Sequence, residues 1–156
     1  MGGVAIEVLG PLGGQGAAAE GILRALPAWF GIESAIVEYV AAAERLPTFV
    51  VRDGGAAVGF VTLRPTSAAA LDLHVMAVQP GHQRRGIGRA LVERAAAYAR
   101  AEGFALLHVK TLAPSDPDPG YAATRSFYEA VGFLPLEELP QVWGPENPCL
   151  LMVMPL

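Results

Sequence analysis

One stretch of the chain has the residue types and spacing for binding a multiply charged anion: Val78-Gln79-Pro80-Gly81-His82-Gln83-Arg84-Arg85-Gly86-Ile87-Gly88-Arg89-Ala90-Leu91. A strand feeds a short basic loop that opens directly into an alanine-rich helix. The first N–H groups of such a helix have no intrahelical partner, and glycine at 86 and 88 lets a ligand approach the main chain closely. Together with the positive end of the helix dipole, those amides form a cradle suited to a pyrophosphate. Arg84, Arg85 and Arg89 add charge. The GxxxxGK[ST] pattern is absent, so nucleoside triphosphate hydrolysis has no support, and another phosphorylated ligand is implied. Immediately upstream, Leu71 to Val78 alternates. Leu71, Leu73, Val75 and Ala77 point one way, and Asp72, His74, Met76 and Val78 the other. Asp72 and His74 therefore share a face at roughly 7 Å, and either could take a proton directly or through water. Their alternative use is to satisfy each other or a neighbouring strand.

The elements that must hold these groups can be read on either side. Val4 to Leu9 reads as a strand, and the glycine-rich stretch to Gly16 as an irregular loop. Helical patterns cover Ala17 to about Phe30 and Ser34, a plausible N-cap, to Arg45. Thr48 to Arg52 and Ala56 to Leu63, around Asp53-Gly54-Gly55, have the signature of a hairpin. Arg89 to Glu102 is a helix stopped by Gly103, and Phe104 to Thr111 a strand. Pro114 to Gly120 carries three prolines and is expected to be a rigid loop. A helix from Ala122 to Val131 stops at Gly132, and strands at Phe133 to Leu136 and Cys149 to Met154 finish the chain.

The length of 156 residues suits one domain, and the composition, 53% hydrophobic and 17% charged, is that of a packed core rather than a disordered chain. With only 11 Lys and Arg and a net charge of −4, broad binding to nucleic acid is not expected. Cys149 is the single cysteine, which excludes an internal disulfide or CxxC site and fits a reducing compartment. No apolar run approaches the roughly 18 residues of a membrane span. The first basic residue is Arg24, so the pattern of a secretory leader is missing too. A soluble cytoplasmic protein is the expectation.

Gln83-Arg84-Arg85-Gly86-Ile87-Gly88 matches the Q/R-x-x-G-x-G/A signature, and Ser126-Phe127-Tyr128-Glu129-Ala130-Val131-Gly132-Phe133 matches a helix ending in Tyr-Glu-x-x-Gly-Phe. In both, at this separation and with a preceding Val-x-Pro, the chain resembles the GCN5-related N-acetyltransferase (GNAT) family. The order β, α, α, β, β, β, loop, α, β, α, β, β fits that family over nearly the whole length. The resemblance implies an α/β (α+β) single-domain acyl-CoA N-acyltransferase fold over residues 1–156, with a central mixed, mostly antiparallel sheet flanked by helices. It implies acetyl-CoA as co-substrate, lying between two diverging central strands, and no metal. The backbone of Met76, Ala77 and Val78 would pair with the pantetheine arm and polarise the thioester carbonyl. The amides from Arg84 to Arg89, Ile87 among them, would cradle the pyrophosphate, beside Gln83.

By the same resemblance Tyr128 stands near the sulfur as a proton donor to the leaving thiolate, although packing between helix and sheet is its alternative use. Asp72 occupies the position where a glutamate acts as base in some members, with His74 as the other candidate; other members use no dedicated base. The family often has Asn seven residues before this tyrosine and Ala four before it. Here Tyr121 and Thr124 stand there, so the asparagine's cofactor contact does not carry over, and their hydroxyls are the candidate substitutes. The resemblance gives acceptor recognition to Trp29, Phe30 and Trp143, with Glu33, Glu38 and Tyr39 nearby; the alternative use of Trp29 and Phe30 is to cap the core, with the glutamates simply solvated. Aromatic walls beside carboxylates suit a cationic amine, small molecule or peptide. His82 and His108 receive no catalytic task.

A second fingerprint, Gly14-Gln15-Gly16-Ala17-Ala18-Ala19, satisfies the dinucleotide pattern GxGxx[GA] but lacks the βαβ units which that fold needs. The competing function is a non-catalytic acyl-CoA sensor or scaffold with the same fold. No nucleic-acid or membrane partner is expected, and the chain is read as a monomer or homodimer.

Overall fold

The structure is a computed structural model that describes residues 6–83 and 85–156. Its elements are β1 (Val8–Leu12), α1 (Gly16–Arg24), α2 (Glu33–Arg45), β2 (Thr48–Asp53), β3 (Ala56–Pro65), β4 (Ala70–Val78), a 3-10 turn (Pro80–His82), α3 (Ile87–Ala101), β5 (Leu106–Leu112), α4 (Pro119–Val131), β6 (Leu134–Leu139) and β7 (Cys149–Pro155). The strands form one mixed sheet in the order β1-β2-β3-β4-β5-β7-β6. β4 and β5 are parallel, whereas β1 with β2, β2 with β3, β5 with β7 and β6 with β7 are antiparallel. The chain divides into two compact units, one holding the chain up to Arg64 with His74–Tyr98, the other Pro65–Leu73 with Ala99–Leu156.

In the first unit the apolar stripe of α1, Ala19, Ile22 and Leu23, packs with Leu26, Ala43, Val50, Phe60, Val75 and Ala77 into one buried cluster. Trp29, Phe30, Tyr39 and Val40 lie against it, partly buried. The hairpin of β2 and β3 forms around Asp53-Gly54-Gly55, with Thr48 opposite Thr62 and their buried hydroxyls 3.0 Å apart. In the second unit, β5 and β7 pair along their whole length, from Leu106 opposite Pro155 to Leu112 opposite Cys149. Tyr128 and Phe133 meet edge to face at 5.5 Å beneath α4.

Several sequence expectations shift, each for a local reason. The strand expected at Val4 to Leu9, of which Val4 and Ala5 lie outside the described residues, runs instead from Val8 to Leu12. It continues through Gly10 to Leu12 rather than giving way to loop, because an edge strand needs no partner for the N–H that Pro11 lacks, and its register slips between Leu9 and Leu12. Arg94 covers that edge, donating to the carbonyls of Val8 at 2.8 Å and Gly10 at 3.2 Å. α1 stops at Arg24 rather than near Phe30, since Pro27 disfavours helical geometry in the residue before it. α2 begins one residue ahead of Ser34, with Ile32 as its extended cap and Glu33 in the first turn. Glu33 is bidentate to Arg24, at 2.8 and 2.9 Å. Finally, the Pro-rich segment enters a helix at Pro119. Asp118 takes the extended conformation required before a proline and accepts from Gly120 N at 2.8 Å, and Pro119 at N1 sacrifices no hydrogen bond.

Candidate active site

β4 alternates as its sequence requires: Leu71, Leu73, Val75 and Ala77 are buried, and His74, Met76 and Val78 are half-buried on the other face. Asp72 is the exception on that face, 3% exposed. It belongs to the second unit and stands opposite His108 in the last registered pair of the parallel β4–β5 ladder. Its Oδ1 lies 3.5 Å from His108 Nδ1, while His108 Nε2 is 2.7 Å from the Thr66 hydroxyl. His74 has other neighbours. Its Nε2 lies 3.3 Å from Glu38 Oε1 on α2, and its ring meets Tyr39 edge to face at 5.3 Å. Tyr39 in turn meets Phe30 at 6.1 Å, so a row of rings runs from a candidate acceptor residue to His74 inside the first unit. Asp72 and His74 are thus separated in function by their partners: a buried carboxylate against His108, and an imidazole against a carboxylate whose side chain is 61% exposed.

Below β4, the chain turns through Pro80–His82 and opens into α3. Gly86 has φ +80°, the left-handed region, and its carbonyl accepts the first helical bond from Ala90 N at 3.0 Å. Gly86 is therefore the cap, and the N–H groups of Ile87, Gly88 and Arg89 are those that the helix itself leaves unpaired. Arg85 and Arg89 are exposed beside them, Ile87 is buried, and Gly88 is half-buried. Gln83 donates through Nε2 to Val78 O at 3.2 Å, tying the loop to the end of β4. Arg84 lies outside the described residues. Such a terminus, with charge on its flank, holds an anion by amide donors and dipole.

In the second unit, burial pushes the Tyr128 phenol above its ordinary range, and the Asp72 carboxylate adds to the effect. The group is therefore a neutral phenol at any physiological pH, able to donate a proton. The Thr124 hydroxyl donates to Gly120 O at 3.1 Å, within its own helix, and Tyr121 is half-buried on the first turn. Burial and the nearby Asp118 and Asp116 carboxylates raise the Tyr121 phenol as well. Trp143 is exposed between β6 and β7. Sequence reasoning missed Glu38 as the partner of His74 and gave His82 and His108 no role. The signal available for Glu38 was only its place in a helix next to Tyr39. Among the described residues no cluster of His, Cys, Asp and Glu is placed to hold a metal ion, and no helix is long and apolar enough to cross a membrane.

Comparison with known proteins bears on the same elements. The acetyltransferase (GNAT) domain family matches residues 44–135. A mycothiol acetyltransferase of Beutenbergia cavernae is 34% identical over 82 residues, 53% of this chain, and the match spans about a quarter (26%) of that relative's length. A GNAT-family protein from Desulfovibrio desulfuricans superimposes with a TM-score of 0.76 at 21% identity, covering 97% of this chain and 99% of the other. A GNAT family acetyltransferase from Elizabethkingia anophelis, with acetyl-CoA bound, gives 0.75 at 16% identity over 99% and 100%. The match covers α3 with its glycine cap and the helix of Tyr128, so the two motifs and the strand order that carries them place the chain in the GNAT acetyltransferase family.

Proposed function

We propose that the chain, working as one N-acetyltransferase domain in the cytoplasm, moves the acetyl group of acetyl-CoA to a primary amine by direct attack in a ternary complex. The observation that carries this reading is the start of α3: a left-handed Gly86 cap, three amides unpaired by the helix and two exposed arginines. Those groups would take the pyrophosphate. The backbone of Met76, Ala77 and Val78 would align the pantetheine arm and stabilise the thioester oxyanion.

The amine nitrogen forms a bond to the thioester carbon, and the carbon–sulfur bond breaks. His74 takes the proton that the attacking nitrogen must lose, with Glu38 orienting the ring and stabilising the imidazolium. Tyr128, kept neutral by burial, supplies a proton to the departing thiolate. Asp72 fits the base role less well, because its carboxylate is buried against His108. Phe30 and Trp29, with Tyr39 linking them to His74, form an aromatic approach beside the Glu38 carboxylate, which suits a cationic acceptor. Trp143 is assigned to the same acceptor.

A panel of amines with acetyl-CoA, followed by thiol release, tests this. Turnover should show an acidic limb in its pH–rate profile that His74→Gln removes. A limb that survives His74→Gln dismisses the base. Saturable binding with no thiol release above background across amines and peptides favours the sensor.

A further inference from the structure

Both ends of the loop between β4 and α3 are seated on the β2–β3 hairpin. At the near end, His82 Nε2 lies 2.9 Å from Oδ2 of Asp53, the last residue of β2. The turn is fixed around that contact. Gln79 N donates to Val58 O on β3 at 2.8 Å, and His82 N donates to Gln79 O at 2.9 Å. The hairpin side is fixed as well, since Arg52 donates to Gly55 O at 3.0 Å. His82 Nδ1 is buried with no hydrogen-bond partner among the described residues, so Asp53 is the ring's polar anchor. At the far end, Ile87 rests on Gly59 of β3 so closely that a Cβ on Gly59 would stand 2.8 Å from Ile87 Cγ2.

We propose that His82 is a positioning residue for the coenzyme's pyrophosphate. Latched to Asp53, it holds the loop in the arrangement whose amides converge on the anion. The inference rests on the acetyl-CoA reading and adds a residue that touches neither coenzyme nor acceptor. When the latch is absent the loop spends part of its time in other arrangements, and apparent affinity falls by the fraction that remains competent. A half-exposed hydrogen bond of this kind corresponds to about a 2- to 10-fold loss.

Calorimetric titration with coenzyme A tests the latch, on wild type and on His82→Ala, Asp53→Ala, the double variant and Asp53→Asn, each checked by a thermal melt. Both alanine variants should weaken binding by about 2- to 10-fold, and the double variant no further than either single one. Asp53→Asn keeps an acceptor for Nε2 and should bind as wild type does. Wild-type affinity in both alanine variants overturns the latch while leaving the acetyl-CoA reading intact. Additive losses in the double variant overturn it too, because the residues then act separately. Absence of binding to folded wild type overturns the acetyl-CoA reading itself.

Discussion

Gly59 offers a perturbation whose sign is decided by one contact. Its backbone is outside the left-handed region, so alanine is conformationally acceptable there, and in open space the change should stabilise a strand by about 0.5–1 kcal/mol. The space is not open. The added Cβ would lie 2.8 Å from Ile87 Cγ2, 3.5 Å from Leu91 Cδ1 and 3.6 Å from Ala77 O. Ile87 is 4% exposed, and Cγ2 sits on a branched carbon with little rotamer freedom, so the first turn of α3 must move. Overpacking of this kind costs about 1–3 kcal/mol, which exceeds the backbone gain. A net loss of about 1–2 kcal/mol lowers the midpoint of a chain this size by about 2–8 °C. Thermal and urea melts followed by circular dichroism measure the loss, and titration with coenzyme A should show weaker binding because the displaced turn carries the Ile87 to Arg89 amides. In Gly59→Ala/Ile87→Ala the new methyl fills part of the space that Ile87→Ala empties, so the double variant should lose less than the sum of the singles. A Gly59→Ala protein that melts at or above wild type would refute the close seating of α3 on β3.

Two further outcomes follow from buried hydroxyls. The raised Tyr128 phenol means that the unfolded chain loses this proton first as pH rises past about 10. The stability it contributes is complete below that pH and is lost progressively above it. Tyr128→Phe should therefore flatten the alkaline decline in urea-unfolding free energy by up to about 1.4 kcal/mol per pH unit, and an unchanged slope contradicts the burial argument. Thr48 Oγ1 donates to Leu46 O at 3.1 Å, which leaves Thr62 as the donor in their 3.0 Å contact. Thr48→Val then strands the fully buried Thr62 hydroxyl and should cost about 1–3 kcal/mol, whereas Thr62→Val should cost less; urea melts giving the reverse order would overturn that polarity.

Local features were legible from sequence where the backbone itself needs a particular residue. Gly86 and Gly132 mark the start of α3 and the end of α4 because each sits at positive φ. The alternation of β4 was legible because it reflects burial of one face. Proline was misread twice, at Pro11 and Pro119, since its meaning depends on an edge position or a helix start that only the surrounding structure defines. Partner choice was hidden for a different reason. Asp72 and His74 share a face, yet strand register gives Asp72 to His108, and the packing of α2 gives His74 to Glu38. The contact between His82 and Asp53 is likewise set by the hairpin's placement, at a separation no local period encodes.

The central claim is that the start of α3 binds the pyrophosphate of acetyl-CoA, and the most direct test is calorimetric titration of wild type and Gly86→Val with acetyl-CoA. A Cβ at Gly86 would meet Ile6 Cδ1 at 3.7 Å, an ordinary contact, so the cost of valine comes from φ +80°. A left-handed β-branched residue costs about 1–2 kcal/mol or more, enough to reshape the cap and weaken binding by about 10-fold or beyond. Wild type should bind saturably, one to one, and the folded variant about 10-fold more weakly or beyond. Equal affinities in the two proteins, or no binding to wild type, would contradict the claim.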